Sequence, residues 1–81
     1  MKEKVLRFIK HLEGEVRMYS ILLEHPQTPF DVALYKKYLS MDTEKLEELY
    51  ALQKGNYSLA LTSNDQEIRE LAKEVMRSKL L

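Results

Sequence analysis

The side chains that could carry chemistry in this chain are few, and their spacing limits them further. His11 and His25 are the only histidines, fourteen residues apart. On one helix that is ~21 Å along the axis, too far to share a ligand. His11 with Glu15 is the one pair at i, i+4 that could offer two metal-coordinating positions, and two ligands do not close a site. Neither a Glu-x-x-His nor a His-Glu-x-x-His element accompanies it. Glu44 with Glu48, and Glu70 with Glu74, set carboxylates one turn apart, which serves acid–base catalysis only in a dry cleft that raises one pKa. Both pairs fall on the polar sides of their helices, so solvated surface is the expectation.

Nucleophiles fare no better. Ser20, Ser40, Ser58, Ser63 and Ser78 lack the strand-to-helix elbow that activates a serine, and two glycines cannot build a phosphate-cradling loop. The absence of cysteine removes thiolate catalysis, thiolate ligation and disulfides. The reading is a protein that is not an enzyme, with no metal, no cofactor and no evident small-molecule substrate.

The elements that would position these groups are helices. Over residues 2–25 the apolar Val5, Ile9, Leu12, Val16, Tyr19 and Leu23 recur at steps of four and three, holding one face at 100° per residue. Pro26 and Pro29 end that helix. Thr28 before Pro29, with Asp31 three residues on, reads as an N-cap with proline at the first helical position, opening a second helix to about Ser40. Asp42-Thr43-Glu44 reads as the next start. Its apolar face continues through Tyr57, Ala60 and Leu61, so this third helix is bent or interrupted at Gly55. Asn64 and Glu67 stand at capping-box spacing before a fourth helix carrying Ile68, Leu71, Ala72 and Val75 on one side. No segment alternates with period two. The expectation is an all-α, small four-helix bundle-like single domain over residues 1–81, without sheet, linker or repeat.

Length and composition agree. Eighty-one residues, 44% hydrophobic and 32% charged, suit one folded domain with a thin core. No window approaches the ~18 apolar residues of a membrane span, and Met1-Lys2-Glu3-Lys4-Val5-Leu6-Arg7 does not open a signal peptide, so a soluble cytoplasmic protein is expected. Thirteen basic residues balance thirteen acidic ones, so no global field draws the chain to nucleic acid or membrane. Local basic patches remain. Lys4, Arg7, Lys10 and Arg17 lie on the outward half of the first helix, and Lys73, Arg77 and Lys79 crowd the C-terminus. They carry the alternative reading, a nucleic-acid-associated regulator. Against it, Glu3 and Glu13 stand at ion-pair spacing to Arg7 and Arg17, and residues 43–54, the helix a major-groove reader would insert, carry Glu44, Glu47 and Glu48. Tyr35, Tyr38, Tyr50 and Tyr57 are read as core or interface residues rather than a base-stacking platform.

What one small bundle cannot use up is apolar surface. A helix on one core needs a single apolar stripe. Opposite Val5 and Leu12, however, lie Gly14, Met18 and Ile21, with Leu22 on the flank. In the second helix Phe30, Leu34, Tyr38 and Met41 form one face while Val32 and Leu39 point the other way. Gly14 inside a helix costs about 1 kcal/mol against alanine, which either a close backbone approach or a tolerated surface position would explain. Burying ~400 Å² per subunit is worth roughly 10 kcal/mol gross before the entropy of association. The chain is therefore expected to be a homo-oligomer and a small protein-interaction module, a regulator or adaptor, whose contacts are Gly14, Met18, Ile21, Val32, Tyr35 and Leu39.

Leu12-Glu13, Pro29-Phe30 and Leu39-Ser40, with an acidic helix after the last, are similar in order and spacing to the YhaI-like small bacterial proteins, an all-helical family of unknown function. The resemblance covers about residues 12–50, roughly half the chain, which is shorter than those proteins. It implies a helical, self-associating bacterial protein and adds no catalytic residue.

Overall fold

A computed structural model describes residues 2–25 and 28–80, without the side chains of residues 2, 79 and 80. It contains α1 (Lys2–Glu24), α2 (Pro29–Gln53), α3 (Ser58–Leu61) and α4 (Gln66–Leu80), and no strand among the described residues. The all-α expectation holds. α1 ends just before residue 26, and the part assigned to Pro26 lies outside the described residues. Thr28 caps α2 as its sequence indicates: its side-chain oxygen accepts from the Asp31 N–H at 3.2 Å, with Pro29 at the first turn.

The boundary expected near Ser40 is absent, because α2 runs unbroken through Asp42 and Thr43. Both polar residues of that start signal are engaged elsewhere. Thr43 donates its hydroxyl to the Leu39 carbonyl at 2.7 Å, one turn back, and Asp42 is buried in the seam with α1. The break falls at Gly55. Its φ of 92° lets the chain reverse, the Gly55 N–H bonds the Leu52 carbonyl at 3.0 Å, and the Asn56 N–H bonds Ala51 at 2.9 Å. This paired closure is how a left-handed glycine ends a helix. The short α3 follows it as a separate element.

The start of α4 also differs by one residue. Asp65, not Asn64, is the cap, accepting from the Glu67 and Ile68 N–H groups at 2.8 and 3.2 Å. Asp65 additionally takes the ammonium of Lys45 at 3.1 Å, and that pairing wins over the alternative register.

α1 and α2 form an antiparallel hairpin, and α3 and α4 pack against the second half of α2. The core gathers Val5, Ile9 and Leu12 of α1, Leu46, Leu49 and Leu52 of α2, Ala60 of α3, and Ile68, Leu71 and Ala72 of α4. All of it lies at one end. At ~1.5 Å per residue the hairpin helices are ~35 Å long and α4 only ~22 Å, so α4 cannot cover the hairpin. From residue 13 to residue 41 no described residue is buried. The molecule is accordingly elongated, 51 × 21 × 16 Å: a helical body with a two-helix arm.

Candidate functional site

The arm concentrates exposed apolar surface. Eight large apolar residues are exposed among those described, and five of them, Met18, Ile21, Phe30, Tyr38 and Met41, belong to the arm. They fall on two faces. On the outside of α1, Gly14, Arg17, Met18, Ile21 and Leu22 line a shallow depression of about 330 Å³. Met18 and Ile21 are 46% and 50% exposed there, as the excess of apolar positions on α1 predicted. A Cβ added to Gly14 would meet nothing within 4 Å, so no backbone of the same chain explains this glycine.

The second face is on α2, and here the division expected from the sequence is reversed. Val32, Tyr35 and Leu39, assigned to contact with a partner, are half-buried within the chain. The Tyr35 ring packs on Tyr19 of α1 with centroids 6.0 Å apart. Phe30, Tyr38 and Met41, on the opposite face and outside the expected contact set, are the exposed ones, Phe30 at 74%. The cause is the merged helix. With no break at Ser40, the phase of the apolar face at Leu46 and Leu49 extends back into residues 29–41 and decides which side faces α1. Tyr38 keeps one edge on Tyr19, at 5.7 Å between centroids, while remaining 39% exposed.

Where the arm leaves the body sits a cluster of charges that sequence reasoning did not assemble. His11 Nε2 and Glu15 Oε1 are 3.0 Å apart, so the i, i+4 pair exists as an ion pair when His11 is protonated. Across the seam lies Asp42, 6% exposed. No hydrogen-bond partner reaches its Oδ2. The pKa of Asp42 is raised to about 6, first by burial and then by the neighbouring Glu15 carboxylate. The charges of Lys45 and His11 oppose it. Asp42 therefore keeps its proton into the mildly acidic range. Lys45 is committed to Asp65. Burial alone would raise Asp65, but the Lys45 ammonium and the Ile68 and Glu67 N–H groups overcome it and hold this carboxylate below its usual range.

The remaining candidates are dispersed. Glu74 pairs with Lys4 at 3.2 Å and Glu70 with Lys73 at 3.8 Å. Glu44 is exposed, whereas Glu48 is half-buried with Oε2 out of reach of water, unlike the solvated position expected for it. Among the described residues no group of three or more His, Cys, Asp or Glu side chains is placed to hold a metal ion. A surface hollow of about 740 Å³ between α1 and the start of α4 is lined chiefly by Lys4, Phe8, Glu67, Glu70 and Glu74, with no histidine or hydroxyl nucleophile. Of the basic patch on α1, Lys4 is tied to Glu74, while Arg7, Lys10 and Arg17 are exposed; the Lys79 side chain lies outside the described residues. No described helix is long and apolar enough to cross a membrane.

No family model, curated protein or solved structure matches this chain.

Proposed function

We propose that this chain is a small non-enzymatic interaction module, a regulator or adaptor, that self-associates through the apolar faces of its arm. One observation carries the reading: a two-helix arm in which no described residue is buried, yet which holds Met18, Ile21, Phe30, Tyr38 and Met41 in contact with water. Two helices pack along a single seam, so each keeps an outward face. Monomeric proteins rarely leave a contiguous apolar face of several hundred Å² uncovered. Two arms laid together through one of these faces would bury that face on each copy.

Of the residues expected to make the contacts, Gly14, Met18 and Ile21 are open to a partner without rearrangement. Val32, Tyr35 and Leu39 contribute mainly to the seam between α1 and α2, and the exposed stripe of α2 takes their place in the proposed interface. The resemblance to the YhaI-like proteins points the same way. The alternative, a nucleic-acid-associated regulator, rests on Arg7, Lys10 and Arg17 once Lys4 is paired.

The test is the salt and concentration dependence of the purified protein's behaviour. Cross-linking at micromolar concentration should trap a discrete oligomer, reduced by a charge at Met18 or Phe30, with no retention on DNA at low salt. Monomer throughout, with salt-sensitive retention on DNA lost on changing Arg7 and Lys10, would favour the alternative.

A further inference from the structure

The turn of α2 where the arm joins the body carries two side chains that work against a continuous helix. Asp42 is 6% exposed and no hydrogen-bond partner reaches its Oδ2, so a buried carboxylate oxygen lacks the bond that would offset its burial. Beside it the Thr43 hydroxyl donates to the Leu39 carbonyl at 2.7 Å, the same carbonyl that the helical ladder assigns to the Thr43 N–H. Back-bonding of this kind weakens and bends a helix. Asp42 and Thr43, followed by Glu44, are also the residue types that open a helix, because a freed Asp42 carboxylate can accept from the N–H groups of the turn that follows it.

What continuity imposes is phase. Leu46 and Leu49 lock the lower half of α2 into the core, and an unbroken helix carries that orientation up to Pro29. It turns Val32, Tyr35 and Leu39 toward α1 and leaves Phe30, Tyr38 and Met41 in water. The two sets lie roughly 140° apart at ~100° per residue. The upper half has no lock of its own, since no described residue from 13 to 41 is buried. Tyr19 of α1 stands where the two sets meet, its ring centroid 6.0 Å from that of Tyr35 and 5.7 Å from that of Tyr38. Turning the upper half about its own axis therefore exchanges one tyrosine for the other on Tyr19.

We propose that α2 opens at residues 40–43 into a second packing of the arm, in which Asp42 caps a helix starting at Thr43 and residues 29–41 roll to seat Phe30, Tyr38 and Met41 on α1. The ladder bonds lost at the break are offset by giving the Asp42 carboxylate N–H partners and water, and by covering Phe30, which is 74% exposed in the continuous form. The rolled arm turns Val32 and Leu39 outward, so the joint selects which apolar face of α2 a partner meets. The device is internal to one chain and stands or falls separately from self-association.

Amide hydrogen exchange, read by mass spectrometry with residue-resolved fragmentation on chain dilute enough to be monomeric, tests it. The N–H groups of residues 42–45 lose their acceptors at the break and should exchange about tenfold faster than those of residues 36–39, nearer the tip of the arm. Fraying from the tip gives the opposite order, with protection rising steadily from residue 33 to residue 46, and that profile overturns the proposal. Asp42→Leu removes the cap and fills the seam, and should slow exchange at residues 43–45 about tenfold; Thr43→Ala, which removes the back-bond, should slow it in the same sense if the first variant folds poorly. The absence of cysteine permits a second readout. The roll presents the thiol of Leu39→Cys to water, whereas that of Val16→Cys, on the half-buried α1 side, stays covered. Adding Asp42→Leu should slow labelling of the first about tenfold and leave the second unchanged. Equal slowing of both, or of neither, overturns the roll.

Discussion

Lys45 Nζ lies 3.1 Å from Asp65 Oδ2, and this one contact fixes how far up the hairpin α4 begins. Asp65 is also the α4 cap, so the same carboxylate ends the connection and anchors it to the middle of α2. Had α4 started a turn higher on α2, Met41 would be covered. Where the body stops and the arm starts is therefore set by a polar contact rather than by the apolar pattern, which runs on without interruption.

Asp65→Ala should lower stability by about 2 kcal/mol, roughly half from the lost cap and half from the partly buried pair, read by urea denaturation near neutral pH. The pH dependence has a definite sign. Because folding depresses this carboxyl, its contribution is present above the unfolded pKa near 4 and is lost as pH falls through the folded value. Asp65→Asn should flatten the acid limb of the stability curve.

Asp42 works in the opposite direction. Its folded pKa, about 6, lies above the ordinary carboxyl value of 3.8, so its effect on stability is most favourable below the unfolded pKa and is lost as pH rises through about 6. Asp42→Asn should stabilise the protein at about pH 8 by about 1 kcal/mol, the gain being reduced by water at Glu15, and should be neutral near pH 4. Thermal melts across that range decide the matter; a variant less stable than wild type at both ends contradicts it.

Leu49 and Ile68 are fully buried at the centre of the only core among the described residues. Truncating either to alanine should cost about 3 kcal/mol. For a domain whose whole stability is of order 5 kcal/mol, circular dichroism should show a partly unfolded population at 37 °C or below.

Gly14 sits in a helix with open space where a Cβ would be. Gly14→Ala should raise the stability of the separate chain by about 1 kcal/mol through helix propensity alone. A gain in melting temperature at high dilution, combined with weaker association at high concentration, would place this glycine in an intermolecular contact.

The fold class, the Thr28 cap and the Gly55 break were all legible in the residues, because each depends on local chemistry that a short window contains. The core positions of α1 were legible for the same reason. The join at Ser40 was not. Asp42 and Thr43 resemble a helix start in isolation, and only the buried seam with Glu15, twenty-seven positions away, diverts Asp42 to another use. That single misplacement exchanged the two faces of α2, so the surplus apolar surface was anticipated while half of the residues carrying it were not. The carboxyl pair itself leaves no local signal, since its members stand on different helices. The i, i+4 spacing of His11 and Glu15 was the one visible clue.

The account depends on the arm being covered by another copy of the chain. Sedimentation equilibrium of the wild-type protein over a micromolar concentration series near pH 6 measures this directly. The account predicts a reversible dimer whose mass falls to that of the 9.6 kDa chain on dilution. A single monomeric species across the whole series would contradict it.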